Sequence, residues 1–376
     1  MTTVRVLAPY FTPAVDGGGP IRTLDALTRT APDRFVVEVV TRDRDLGATN
    51  RLDVPTVPFD DAGRTIRFLD TRGVPGLIRL ARAMCARPVP TLTYVNSVFD
   101  ARFAILPMAL HRLGLTSRTR FLVAPRGEFD PGALALKSTK KRAYLAAGRR
   151  TGLFRGIVWH ASTDTEAAHI RAAVGADAEV VVRENETSLP ESATRRPAIA
   201  SDRLELVCVG RISPKKRTHL AIEALATVER PVRLTVIGPV DDEAYGRRCR
   251  KAADALPAHV VVEFVGSREH GDVLAALRSA HAMVAPTAGE NFGHTIAEAL
   301  ASACPVLLSD TTPWTDRIRA GGGEVVGDDG WSAAIERWAA AGPDHLDRRS
   351  AAAADAYDDW RRRAQAPHVF DMLMQR

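Results

Sequence analysis

The chain has 376 residues, 45% hydrophobic and 26% charged, with a formal net charge of +6. This is too long for one ordinary core and fits two domains of a soluble globular enzyme; no run approaches the roughly 18 apolar residues that a membrane helix needs. The positive balance favours anionic partners, but charge alone does not choose between nucleotide, membrane and nucleic acid. Cys85, Cys208, Cys249 and Cys304 lie far apart without metal-like spacing, so a reducing compartment with neither disulfide nor zinc is expected. Met1 leads almost at once into VRVLAP, which leaves no room for a signal-peptide core; the expected location is cytoplasmic, at most peripheral to a membrane.

Along the chain, short β-branched runs alternate with longer amphipathic ones, the pattern of parallel sheets with crossover helices. Strands are expected at VRVLAP (from Val4), FVVEVVT (Phe35), TLTYVN (Thr91), FLVAP (Phe121), GIVWHAS (Gly156) and AEVVV (Ala178). A second series follows at LELVCVG (Leu204), VRLTVIG (Val232), VVVEFVG (Val260), AMVAP (Ala282) and PVLLSD (Pro305), with a weaker EVVG at Glu324. Two series imply two doubly wound domains: residues 1–187, and residues 203–359 beyond a polar, proline-bearing linker at 188–202. The alanine-rich stretch around Ala351 reads as helix, and the tail from Ala356 offers Trp360, Val369, Phe370 and Leu373 for apolar contacts.

Ligands of doubly wound sheets gather at the carboxyl ends of the strands. After the first strand come Gly17, Gly18 and Gly19, with Pro20 suited to the first position of a helix that carries Ile21, Leu24 and Leu27 on one face. This is not the GxGxxG fingerprint of dinucleotide binding. After the seventh strand, GRISPKKR places Arg211, Lys215, Lys216 and Arg217 before a helix, a cluster suited to a diphosphate. GENFGHTIAEALASACPV then sets Glu290 in a strand-to-helix loop and Glu298 inside the helix. There Ile296, Leu300 and Ala303 form one apolar stripe, which puts Glu298 on the opposite side among alanines, where ribose hydroxyls would supply hydrogen bonds. A lone Glu-Ala-Leu decides nothing, since HLAIEAL holds Glu223 in a similar helix; the glycine-bearing acidic loop separates the two.

GRISPKK, VIGPVDDEAY, VVEFVGSRE and GENFGHTIAEALASACPVLLSD together resemble the nucleotide-sugar domain of retaining family-four glycosyltransferases, the glycosyltransferase group 1 proteins with the GT-B fold. The first half is similar through its glycine loop and through APRGEFDPGALALKSTKKRAYL, as in the PRG-containing branch. The resemblance implies two Rossmann-like α/β domains facing a cleft, with residues 360–376 crossing back to the first. It implies transfer of a sugar from a nucleoside-diphosphate donor with retention, without a metal ion or other cofactor, to a glycan or small-molecule acceptor. Arg211 and Lys216 would bind the diphosphate, and Glu290 the sugar hydroxyls. Asn291, Phe292, Gly293, His294 and Thr295 would lie near sugar and phosphates, Glu298 would hold the ribose, Arg268 would meet the base, and Gly18 and Gly19 would face the donor.

Where many relatives carry a histidine at the strand end in the first domain near the reacting sugar, this chain has Arg126 after FLVAP, so the acceptor-side candidates are Asn96, Arg126, Glu128 and His160. The basic stretch 137–155, with Lys137, Lys140, Lys141, Arg142, Arg149 and Arg150, suits either a solvated face or peripheral membrane contact. Aromatics make up only 6% of residues and are not interleaved with these cations, so no nucleic-acid partner is expected. UDP, GDP and ADP sugars all remain open as donors. A GT-B epimerase, a phosphorylase and a noncatalytic nucleotide-sugar binder are the alternatives.

Overall fold

The computed structural model describes residues 1–15, 18–116, 118–135, 138–363 and 367–374, so Gly17 and Lys137 lie outside the described residues. The chain divides into two units, Met1–Ser188 with Ala366–Arg376, and Leu189–Gln365.

The first unit holds β1 (Thr2–Ala8), β2 (Phe35–Arg42), β3 (Phe59–Asp61), β4 (Arg64–Leu69), β5 (Leu92–Asn96), β6 (Arg120–Ala124), β7 (Ile157–Ala161) and β8 (Val180–Val182). They form one sheet in the order β3-β4-β2-β1-β5-β6-β7-β8, parallel except for the β3–β4 pair. That hairpin is absent from the sequence-based expectation. Its signal is short: a turn at Ala62-Gly63, then Ile66 and Phe68 buried at alternate positions. Side chains of β1 alternate between two cores, Val4, Val6 and Ala8 on one face and Leu7 on the other. The helix Gly19–Arg29 lays Leu24 and Leu27 onto the first of these faces and buries Ile21 as well. Full burial of each such side chain stabilises by about 1.5 to 3 kcal/mol.

The second unit holds β9 (Leu204–Val209), β10 (Val232–Ile237), β11 (Val260–Gly266), β12 (Ala282–Ala285), β13 (Val306–Ser309) and β14 (Gly323–Val326), in the order β11-β10-β9-β12-β13-β14. The strand order reverses between β9 and β12, so the loops leaving those two strands flank the crevice where doubly wound sheets bind ligands. In the first unit the equivalent point lies between β1 and β5.

The linker is fastened to a helix, and the point of return to the first unit differs from the expected one. Residues 189–202 have no regular structure but lie along the Pro343–Arg363 helix instead of hanging free: Tyr357 Oη donates to the Pro190 carbonyl at 2.5 Å and Ala193 N donates to Asp358 Oδ1 at 2.7 Å. The tail returns to the first unit later than residue 360. Trp360 is buried against Trp314 and Phe292 in the second unit, because the long helix continues through Arg363. The returning element is the short helix Val369–Met374, whose Val369, Phe370 and Leu373 join the β1 core. His368 Nε2 donates to the Leu27 carbonyl at 3.0 Å, and Arg120 Nη1 donates to the Leu373 carbonyl.

Candidate functional site

At the carboxyl end of β9 the chain turns through Gly210 and reaches the helix Thr218–Glu223 through Arg217, which is left-handed at φ 50°. The turn is fastened to the β12 loop. Ala288 N donates to the Lys215 carbonyl at 2.8 Å, and Arg217 reaches the Pro286 carbonyl at 2.6 Å and Asp328 at 2.9 Å. Arg217 thus staples two loops together, while its neighbour Lys216 projects into the crevice: Lys216 Nζ lies 2.5 Å from Glu290 Oε1. Lys216, Gly210, Thr287, Glu290 and Thr295 line one small cavity between β9 and β12. Arg211 leaves the same turn but stays 58% exposed, 3.3 Å from Asp241.

Beyond Glu290 the backbone must change direction to start the His294–Ala301 helix, and Gly293 does so at φ 87°. A Cβ there would sit 3.0 Å from both Ile296 and Trp314. Trp314 Nε1 donates to the Phe292 carbonyl, so the loop is fixed from behind by a buried indole. The half-buried Asn291, His294 and Thr295 stand around this turn, His294 ring against Phe292 ring at 4.8 Å. The helix is buried all round from Ile296 to Ala301 instead of along one stripe, and Ala303 falls past its end at φ 53°. Glu298 is nevertheless singular: a carboxylate 3% exposed within an alanine-rich helix, with His270 Nδ1 3.9 Å from its Oε1. His270 was not foreseen; it opens the His270–Ser279 helix, directly after the loop that carries the exposed Arg268, whose side chain bonds the Ser267 carbonyl. A larger hollow opens at the amino ends of β9 and β10, lined by Arg203, Glu205 and Arg233, on the other edge of the sheet from these residues.

In the first unit, Gly18 (φ 68°) precedes the helix that starts at Gly19, which places Pro20 at its second position. Asn96, Arg126, Glu128 and His160 come together at the carboxyl ends of β5, β6 and β7, but with different freedoms. His160 is 3% exposed and both of its ring nitrogens are engaged. Nε2 lies 2.9 Å from the Arg183 carbonyl, which can only accept, so Nε2 carries the proton and Nδ1 accepts from Tyr94 Oη at 2.9 Å. Burial, reinforced by the Arg126 charge, pushes its pKa down to about 3. His160 is an enclosed neutral ring, not an accessible acid or base. Glu128 accepts from Ser97 Oγ and from the amides of Val98 and Phe99, with its pKa raised by desolvation; it clamps the β5 loop. Glu166, missed by sequence reasoning, accepts from Gly127 N and from Ser162 N, both at 2.7 Å. Between the two clamps, Arg126 is left-handed at φ 55° and only half-buried. Asn185 and Tyr94, also unforeseen, join Asn96 in holding its guanidinium.

Solved structures of the same architecture fix the fold. Sucrose-phosphate synthase from Thermosynechococcus elongatus superposes with a TM-score of 0.75 over 100% of both chains at 18% identity. HepE from Anabaena, crystallised in complex with UDP and glucose, gives 0.69 over 97% of this chain and 95% of that one at 14% identity. The class is the GT-B fold, two parallel-sheet α/β units. Residues 191–354, in the second unit, match the family described as Glycosyl transferases group 1. A phosphatidyl-myo-inositol mannosyltransferase from Mycobacterium leprae is 32% identical over 112 residues, which span 29% of this chain and 28% of that relative.

Proposed function

We propose that the protein transfers a sugar from a nucleoside-diphosphate sugar to a hydroxyl of a glycan or small-molecule acceptor, with retention at the anomeric carbon and without a metal ion. The observation that carries this reading is the Lys216–Glu290 pair at the point where the strand order reverses. Lys216 is aimed by a carboxylate whose second oxygen can accept from a sugar hydroxyl. A diphosphate seated there would meet Lys216, then Arg211 turned from Asp241, then the first amides of the His294–Ala301 helix, whose positive dipole end favours an anion. The buried Glu298 would accept from the ribose, and the Arg268 loop, reaching Glu298 through His270, would meet the base.

In the transfer step the acceptor oxygen bonds to the anomeric carbon on the face from which the diphosphate leaves. The bond from carbon to phosphate oxygen breaks, and the acceptor's proton passes to the departing phosphate. The protein's part is charge stabilisation and orientation, and removal of one preorganised donor at such a site commonly costs on the order of a hundredfold in rate. Peripheral contact with an anionic membrane would fall to Lys140 and Arg150 of the Ser138–Thr151 helix, since Lys141 and Arg149 donate to backbone carbonyls.

Thermal-shift titration with UDP, GDP and ADP, followed by turnover of the sugar of the stabilising nucleotide, tests the reading. One nucleotide should raise the melting temperature through selective binding to the folded state. Lys216→Ala should then lower turnover at saturating donor at least about tenfold with the fold intact. No response to any of the three nucleotides, or unchanged kinetics in Lys216→Ala, would overturn it.

A further inference from the structure

Among the described residues, Arg126 is an anchored cation without an anion. Its Nε donates to Asn96 Oδ1 at 2.9 Å, Nη1 to Asn185 Oδ1 and Nη2 to Tyr94 Oη at 2.6 Å; all three acceptors are neutral. The third bond has a fixed direction. Because Tyr94 donates to His160, its oxygen lone pairs face Arg126, and the chain of donors runs from Arg126 through Tyr94 and His160 to the Arg183 carbonyl. The surrounding carboxylates are engaged elsewhere: Glu128 with the Ser97 hydroxyl and the Val98 and Phe99 amides, Glu166 with Gly127 and Ser162, Glu186 with Arg183 at 2.7 Å. Arg126 forms no ion pair among the described residues.

A half-buried charge normally finds a counter-charge, because removing it from water without one is expensive. Here the fold instead adds backbone strain. Ser97 at φ 130° and Arg126 at φ 55° are both non-glycine residues with positive φ, at the ends of adjacent strands and tied by Ser97 N donating to the Ala124 carbonyl. Two such residues side by side point to function. Three neutral acceptors hold the guanidinium plane rigid and leave N–H groups on both terminal nitrogens, the fork that binds an oxyanion.

We infer that the end of β6 is an oxyanion site, and that the acceptor, on the function proposed above, carries a carboxylate or phosphate group held by Arg126. Asn96, Asn185 and Tyr94 are positioning residues; Arg126 alone touches the anion.

The test titrates the full chain with inorganic phosphate and, separately, with malonate, by thermal shift and by ligand-observed NMR, in wild type, Lys216→Met and Arg126→Met. Anion binding should persist in Lys216→Met and weaken at least about tenfold in Arg126→Met, as expected for loss of a charge-assisted fork. A response to phosphate alone identifies a phosphorylated acceptor, and a response to malonate alone a carboxylated one. Should Arg126→Met fail to fold, Arg126→Gln keeps donors for Asn96 and Tyr94 and carries the same comparison. Binding unchanged in a folded Arg126 variant, binding abolished by Lys216→Met, or no binding of either anion to wild type each overturns the inference. Failure of the nucleotide screen leaves these anion titrations readable, so the two readings fail separately.

Discussion

Lys216 and Arg217 are adjacent cations with opposite uses. A left-handed backbone at Arg217 turns its side chain onto the Pro286 carbonyl, so that Lys216 faces Glu290. Sequence alone groups them as one basic cluster; only the φ angle separates them, and composition does not encode it. His160 shows the same limit. A histidine at a strand's carboxyl end is a fair cleft candidate, yet its partners Tyr94 and Arg183 come from 66 and 23 residues away. Its enclosure has a measurable sign. The unfolded ring takes up a proton near pH 6.5, whereas the folded ring stays neutral until about pH 3. Stability is therefore complete above the unfolded value and declines as pH falls from there, with a slope approaching 1.4 kcal/mol per pH unit. Urea titrations at pH 7, 6 and 5 should show that decline in wild type and lose one proton's worth of it in His160→Gln. An identical pH slope in the variant would refute the assignment of a buried neutral ring.

At the level of elements, the parallel strands were legible because buried β-branched runs of four to eight residues bounded by glycine and proline have few other readings. The β3–β4 hairpin escaped because its first strand is three residues long and only its second alternates. Glu290 and Glu298 could be assigned to loop and helix from spacing, but the packing that fixes them could not: Trp314 closes the turn from a loop more than twenty residues on. The His294–Ala301 helix depends on that closure. Gly293→Ala would hold alanine at φ 87° with its Cβ in contact with Trp314 and Ile296. It should cost about 1 to 3 kcal/mol in denaturant unfolding and weaken nucleotide binding along with it. Unaltered stability together with unaltered nucleotide affinity would mean that the turn is not held as described.

For the whole molecule, two domains were evident from length and from the two strand series, whereas the return of the chain was misplaced by a few residues. The reason is physical: the Pro343–Arg363 pattern has no internal stop, so helix continuation outweighed the expected crossing near Asp359. What returns is short but deeply seated, with Phe370 against Phe35 at 5.7 Å and against Tyr94 at 5.9 Å. Phe370→Ala should destabilise the first unit by about 3 to 5 kcal/mol, seen as lost hydrogen-exchange protection in β1 and in the Gly19–Arg29 helix. Loss confined to strands of the second unit would contradict this packing.

The same seating of Val369, Phe370 and Leu373 in the β1 core bears on biosynthesis. Domains generally fold as the nascent chain emerges, amino-terminal part first. Here the amino-terminal sheet would wait, with the apolar surface around Leu24, Leu27 and Phe35 uncovered, until the whole second unit has been translated. The first-made half is thus the last to be completed.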